Sequence, residues 1–325
     1  MEFQIWLMNK ILRRLFSNPK LLNLVSSILL TGLFTSCEKD IKIDIGDNEP
    51  QLIVEAYINN LMPEYNYVIL TKSMDYFAPD FQGVPVSNAQ VTITEGESSG
   101  NGTFRWNSST RIAMEETNNS RIPAEYRKGL YVDQKTIATF STGPSGLIAK
   151  PGKYYLLEIS SEGKNYSAIT SLPSIITIDS LTTGHAYIDE AEGNIPKARV
   201  TVNYKDPDTI GNRQLFYWRQ DKNRDGFGWG ALSSNRRING TDDLTNGQYL
   251  KLTQPYGFNY NELVNYYMVS VTREVYTFWD SFNKARNNDG PFSTPVELIS
   301  NIRGENVTGC FSGFAVSTKA VVVKP

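Results

Sequence analysis

The segment Asp221-Lys222-Asn223-Arg224-Asp225-Gly226 sets three side-chain oxygen donors at alternate positions and a glycine at the sixth. That is the pattern of the first half of a calcium loop, in which oxygens at positions 1, 3 and 5 converge on a hard cation and glycine permits the sharp turn. Position 12 is Leu232, not a bidentate Glu, and two cations interleave the donors. Asp221, Asn223 and Asp225 are therefore the metal candidates, with a remote carboxylate completing a calcium shell. The competing reading of the same residues is an Asp-Gly turn between two strands.

Aromatic side chains follow at once. Phe227 and Trp229 stand among Gly226, Gly228 and Gly230, and Tyr256, Phe258 and Tyr260 surround Gly257. Aromatic rings on glycine-rich loops suit contact with a sugar, a peptide or a protein, which makes these five the binding candidates. Rings capping the ends of a β-sandwich would have the same pattern.

Catalytic chemistry finds less support. His185 is the only histidine, and no serine in a nucleophile-elbow setting or metal-ligand cluster accompanies it, so it reads as a structural or exposed side chain. Asp242-Asp243 could supply the paired carboxylates of glycoside hydrolysis, or a charged turn. No catalytic residue is assigned, and a non-enzyme is expected. Cys310 has no histidine near it in sequence to activate it and reads as a small buried apolar side chain.

The other cysteine carries an address. From Met8, the expected start, basic residues (Lys10, Arg13, Arg14, Lys20) precede an apolar run from Leu21 to Phe34, and small residues then lead to Cys37. This is the order of a secretory signal, assigned to residues 1–36. Its apolar run of about 14 residues is shorter than the ~20 needed to span a bilayer. Leu33-Phe34-Thr35-Ser36-Cys37 resembles a bacterial lipobox, so Cys37 is expected to become the first mature residue, with lipid on its sulfur and its amino group. A signal anchor with an incidental cysteine is the alternative. No other run approaches membrane-spanning length, so the lipid is the expected anchor, and apart from calcium no further cofactor is expected. With Cys37 modified, Cys310 alone cannot form an intrachain disulfide. Residues 37–50 read as an acidic tether.

Of the 32 Lys+Arg and 34 Asp+Glu, four basic residues and one acid precede Cys37. The remainder, 28 against 33, has a net charge of −5, which argues against nucleic acid as a partner. At 325 residues the chain is long enough for two domains.

What must position these residues is a set of short strands. Leu52 to Ile58, Tyr67 to Thr71, Ala89 to Thr94, Ala198 to Tyr204, Gln214 to Gln220 and Val264 to Thr272 are β-branched, aromatic or alternating. Tyr154 to Ile159 and Tyr166 to Thr170 flank Glu162-Gly163-Lys164 and read as a hairpin. Phe311 to Val323 is a closing strand or hairpin. Val275, Phe278, Trp279 and Phe282 fall at i, i+3, i+4 and i+7 and predict one helix over about 275–286. The expected fold is mainly β, two antiparallel sandwich units over 51–174 and 175–325, with the short helix in the second.

Several segments in order carry a resemblance. They are Cys37-Glu38-Lys39-Asp40-Ile41, Leu52 to Ile58, Val86 to Ile93, Pro151-Gly152-Lys153-Tyr154-Tyr155, Asp206-Pro207 with Asn212-Arg213, Asp242-Asp243, and Ser300-Asn301-Ile302-Arg303-Gly304. Together they resemble the Bacteroidota outer-membrane lipoprotein family known as domain of unknown function 4249, over nearly the whole mature length. After Gly304 the chain departs from the family, with Glu305 and Asn306 in place of further glycine. Val86 to Ile93 also resembles the repeat of carboxypeptidase-regulatory-like and transthyretin-like sandwiches, which implies an Ig-like or transthyretin-like N-terminal unit. Acidic residues directly after Cys37 resemble the signal that sends Bacteroidota lipoproteins to the cell surface. The family is encoded beside TonB-dependent outer-membrane transporters, so the resemblance implies an accessory or substrate-capture partner of such a transporter; the loop aromatics make a peptide or glycan the expected ligand. It carries over no catalytic residue. The competing readings are an envelope assembly factor that binds other outer-membrane proteins, and a surface hydrolase using Asp242 or Asp243.

Overall fold

The computed structural model describes residues 49–73, 83–120, 122–138, 146–220, 229, 238–288, 294 and 296–325. Cys37, the leader, most of the tether and the segment 221–228 lie outside these residues.

The first half of the chain supplies β1 (Leu52–Asn59), β2 (Tyr67–Lys72), β3 (Val84–Pro85), β4 (Gln90–Gly100), β5 (Thr103–Trp106), β6 (Ile112–Glu116), β7 (Leu130–Val132), the short helix α1 (Gln134–Ala138), β8 (Tyr154–Ser161) and β9 (Lys164–Ser171). The second half supplies β10 (Ile178–Asp189), β11 (Ile195–Lys205), β12 (Arg213–Gln220), β13 (Ile238–Thr241), β14 (Tyr249–Asn259), β15 (Leu263–Ser270), the helix α2 (Arg273–Arg286) and β16 (Val307–Val322). One sheet runs β13-β12-β15-β16-β1-β2-β7-β6-β4-β8-β9, and a smaller one runs β10-β11-β14. The architecture is mainly β and sandwich-like.

The long sheet is joined at β16. Its first half pairs in parallel with β1, from Leu52↔Val307 to Asn59↔Phe314. Its second half pairs antiparallel with β15, from Ser270↔Ala315 to Leu263↔Val322. Parallel strands cannot be joined by a hairpin and need a crossover; here nearly the entire chain is that crossover. Gly309 permits the approach. Its φ is 134°, and a Cβ built there would collide with the Val54 carbonyl.

Alternation along these strands separates three cores. Leu52, Val54, Ala56 and Ile58 of β1, with Phe311 and Ala315 of β16, face β4, β8 and β9, where Val91, Ile93, Tyr155 and Leu157 meet them. Further along the same side of β16, Val321 packs in the core between β12–β15 and the small sheet, with Val200, Val202, Phe216 and Tyr266. Cys310, Phe314 and Val316 point the other way, into a core with Tyr57, Tyr67, Leu215, Tyr217 and α2. Because β1 is covered on both faces, its sequence reads as a nearly unbroken apolar run.

The hairpin at Glu162-Gly163 is as expected. Both residues have positive φ, 51° and 77°, the two-residue geometry whose twist matches that of the flanking strands. The helix is also found, over Arg273–Arg286. The closing segment is a single strand, not a hairpin. The expected boundary at 174/175 is corrected. The sheet itself crosses it through the β16–β1 pairing, and residues 49–325 form one compact unit. Strand alternation could not show this, because the pairing joins residues from opposite ends of the chain.

Several of the segments that carried the resemblance prove to be ties between strands. The buried Asp242 carboxylate accepts from the Gly211 N–H (2.9 Å) and the Asn212 N–H (2.9 Å), fixing the β11–β12 loop against the β13–β14 loop. Asp206 is buried beside it and accepts from the Gly247 N–H (3.2 Å). Burial pushes its carboxyl up, and the charges of Asp242 and Asp208 add to that against the Gly247 bond. In the other segment, Asn301 Oδ1 accepts from the Phe311 N–H (2.8 Å) and its Nδ2 donates to the Phe311 carbonyl (3.0 Å). Arg303 and Ser167 exchange backbone hydrogen bonds, so residues 300–304 tie β16 to β9.

Two substitutions test these constraints in denaturant unfolding of the purified protein. Gly309→Ala should lower stability by ~3 kcal/mol, because the collision is with backbone in a paired strand; an unchanged midpoint would contradict the close approach. Asp242→Ala strands two amide donors and should cost ~2 kcal/mol, with Asp242→Asn costing less because it keeps an acceptor. Equal loss from the two would show that the carboxylate is not acting through those amides.

Candidate functional site

Helix α2 begins where Thr272 accepts from the Val275 N–H at 3.4 Å, an N-cap that satisfies one of the free amides of the first turn. Glu274 lies in that turn and Lys284 and Arg286 in the last, each sign placed favourably for the helix dipole. Val275, Phe278 and Trp279 are buried against the sheet, and Phe282 packs beside them. The indole N–H of Trp279 donates to Ser312 Oγ (3.1 Å). Its ring stacks on Tyr57 of β1, centroids 6.0 Å apart and planes 17° from parallel.

Under this helix the sheet is lined by small side chains on β16. Thr308, Gly309 and Cys310 leave a cavity of about 460 Å³ between α2 and the β1–β16 seam. Among the described residues, six aromatic rings line it: Tyr57, Tyr217, Trp229, Phe278, Trp279 and Phe282. They brace one another, with Phe278 to Trp279 at 5.1 Å, Trp279 to Phe282 at 5.6 Å and Tyr217 to Trp229 at 5.4 Å. Edge and tilted contacts of this kind add to the burial of the rings and hold the walls in place.

Among the described residues, two charged side chains also line the cavity, Glu55 from β1 and Arg286 from the exposed last turn of α2. Glu55 is half-buried and accepts a hydrogen bond from the Tyr57 hydroxyl at 2.7 Å. Burial pushes the Tyr57 hydroxyl well above its ordinary range, and the adjacent carboxylate pushes it further. Burial does the same for Tyr67, again with Glu55 next in effect. Both phenols stay protonated, and Tyr67 holds the far wall by accepting from the Trp229 N–H (3.0 Å).

The aromatic residues singled out in sequence do not come together. Trp229 is buried and lines the cavity, with its indole N–H bonded to the Tyr65 carbonyl (3.2 Å). Tyr256 and Phe258 lie on β14 rather than a loop, on the small sheet against the opposite face of β12 and β15. Phe258 is buried there and Tyr260 half-buried beside it, so neither serves as an exposed loop ring. Tyr256 is exposed, 6.2 Å from Trp218. The physical reason is Gly257, which pairs with Arg199 of β11 and lies under the Tyr187 ring; it serves close packing of a strand, not a flexible turn. Asp221, Asn223, Asp225 and Phe227 lie outside the described residues. His185 is exposed, with φ 51°, at the irregularity where β10 slips against β11. Cys310 is buried and borders the cavity. Asp242 is occupied by the backbone amides described above, and Asp243 accepts from the Thr241 hydroxyl (2.9 Å).

The residues missed were Glu55 and the inner face of α2. One signal was present: Glu55 is a carboxylate in the middle of the otherwise apolar Leu52-Ile53-Val54-Glu55-Ala56-Tyr57-Ile58. A charge is costly on a strand covered on both sides unless it is paired, and here the Tyr57 hydroxyl donates to Glu55.

Comparison with known proteins adds a family. No curated protein matches the chain. A solved structure of a DUF3823 family protein from Bacteroides uniformis is similar over 85% of this chain and 100% of that one, at 9% identity and a TM-score of 0.22, a value that carries no argument. The model of the family described as Domain of unknown function (DUF4249) matches residues 38–320, and the chain belongs to that family.

Proposed function

We propose that this protein is a lipid-anchored, non-enzymatic capture protein of the outer membrane, working beside a TonB-dependent transporter at the cell surface of a Bacteroidota cell. The lipobox-like Leu33 to Cys37 supports the anchor, since several acyl chains bury enough CH2 groups for stable attachment. The observation that carries the capture role is the cavity under α2. Its volume, about 460 Å³, falls in the ~300–1,000 Å³ range of small-ligand sites, and like them it is mostly apolar with a few placed polar groups. The match to DUF4249 supports the transporter partnership through the setting in which that family is encoded.

Two measurements test this reading. Affinity purification through this protein in mild detergent should recover a transporter barrel, and recovery of none contradicts the partnership. Cys37→Ala should move the protein out of the membrane fraction; full retention there contradicts the lipid anchor.

A further inference from the structure

Two buried oxygens in the loops after β11 and β13 have no donor to accept from. Asp206 is 1% exposed. Its Oδ2 takes the Gly247 N–H, and its Oδ1 has no hydrogen-bond partner among the described residues. Asn246 Oδ1, one residue before Gly247, is likewise buried and without a donor. A bare buried carboxylate oxygen is costly, and such a group calls for a water, a proton or an ion. The same corner holds a second carboxylate. Asp208 Oδ1 lies 2.6 Å from where a Cβ on Gly247 would stand, and its charge bears on Asp206. Asn246 Nδ2 donates to the Asp208 carbonyl (3.2 Å), which fixes that amide with its oxygen unused.

We propose that Asp206, Asp208 and Asn246 bind a calcium ion, which joins residues 206–208 to residues 246–247. The chemistry selects a hard cation. Each group offers oxygen lone pairs, and the two carboxylates repel each other until a positive charge lies between them. Carboxylate and amide oxygens, completed by waters, make the shell of six to eight donors that calcium takes. Asp242 is not a ligand, because its two oxygens already accept from the Gly211 and Asn212 amides. The position gives the ion a task. Both loops, β11 to β12 and β13 to β14, pass between the small sheet and the long one, so an ion held by both fastens the two crossings together. This site is separate from the Asp221–Asp225 pattern and independent of the capture role.

The test is thermal unfolding of the full chain in mild detergent, stripped with EDTA and then given calcium or magnesium chloride. With a dissociation constant of about 10⁻⁴ to 10⁻³ M, usual for extracellular calcium modules, roughly 10 mM calcium should raise Tm by ~3–6 °C. Magnesium at the same concentration should do much less. Asp206→Asn keeps an acceptor for the Gly247 amide and removes a buried charge. Without calcium it should be at least as stable as the unaltered protein, and it should lose the calcium response. Asp208→Asn, at an exposed position, should weaken calcium binding about tenfold and decides the matter even if Asp206→Asn misfolds. Asp221→Asn combined with Asp225→Asn should keep the full response. The site is overturned by no calcium response in the unaltered protein, by an equal response to magnesium, or by a response that survives both Asp206→Asn and Asp208→Asn. A response lost only with Asp221→Asn and Asp225→Asn overturns it as well.

Discussion

The parallel pairing of β16 with β1 is the constraint on which the rest of this structure depends. It brings the end of the chain against the beginning, and it lets one strand serve two partners in succession, β1 and then β15. Without it the β1–β2 half and the β12–β15 half would each have an open edge, a row of unpaired amides and carbonyls that other chains could join. Gly309 is where the two strands come closest. Asn301 then ties the adjoining segment to Phe311 by both of its side-chain hydrogen bonds.

The seam also makes the cavity. Since β1 and β16 run in register, Glu55 lies beside Cys310, and Tyr57 beside Ser312, so the acid, a small thiol and the anchor of Trp279 share one face. The helix bridges this face on Val275, Phe278 and Trp279 and leaves the space beneath it unfilled where β16 has only small side chains. On that wall the half-buried Glu55 carboxylate accepts a hydrogen bond from the Tyr57 hydroxyl.

Much of the fold could be read in the sequence because its signals are local. Alternation marked the strands, Glu162-Gly163 marked a tight hairpin, and the spacing of Val275, Phe278, Trp279 and Phe282 marked α2. The division at 174/175 was misread because a parallel contact between the two ends of a chain leaves no trace in either. The site was only partly legible. Trp229 was found, but as a loop aromatic among glycines, and Phe258 was given the same reading although Gly257 serves close packing within β14. Glu55 went unnoticed since a single charge in an apolar strand looks like an exposed position until both faces are seen to be covered. Asp206, Asp242 and Asn301 were picked out as marks of a family, and their hydrogen bonds show why residues of those types are needed there.

The most direct test of this account is hydrogen exchange of the whole protein in rising denaturant, read by mass spectrometry on peptides from β1, β8, β12, β15 and β16. If the seam joins one cooperative sheet, amides in all five strands should lose protection together, at one free energy of opening. Opening of β12 and β15 at clearly lower denaturant than β1 and β8 would mean two independent units, and the account of both the seam and the cavity would fail.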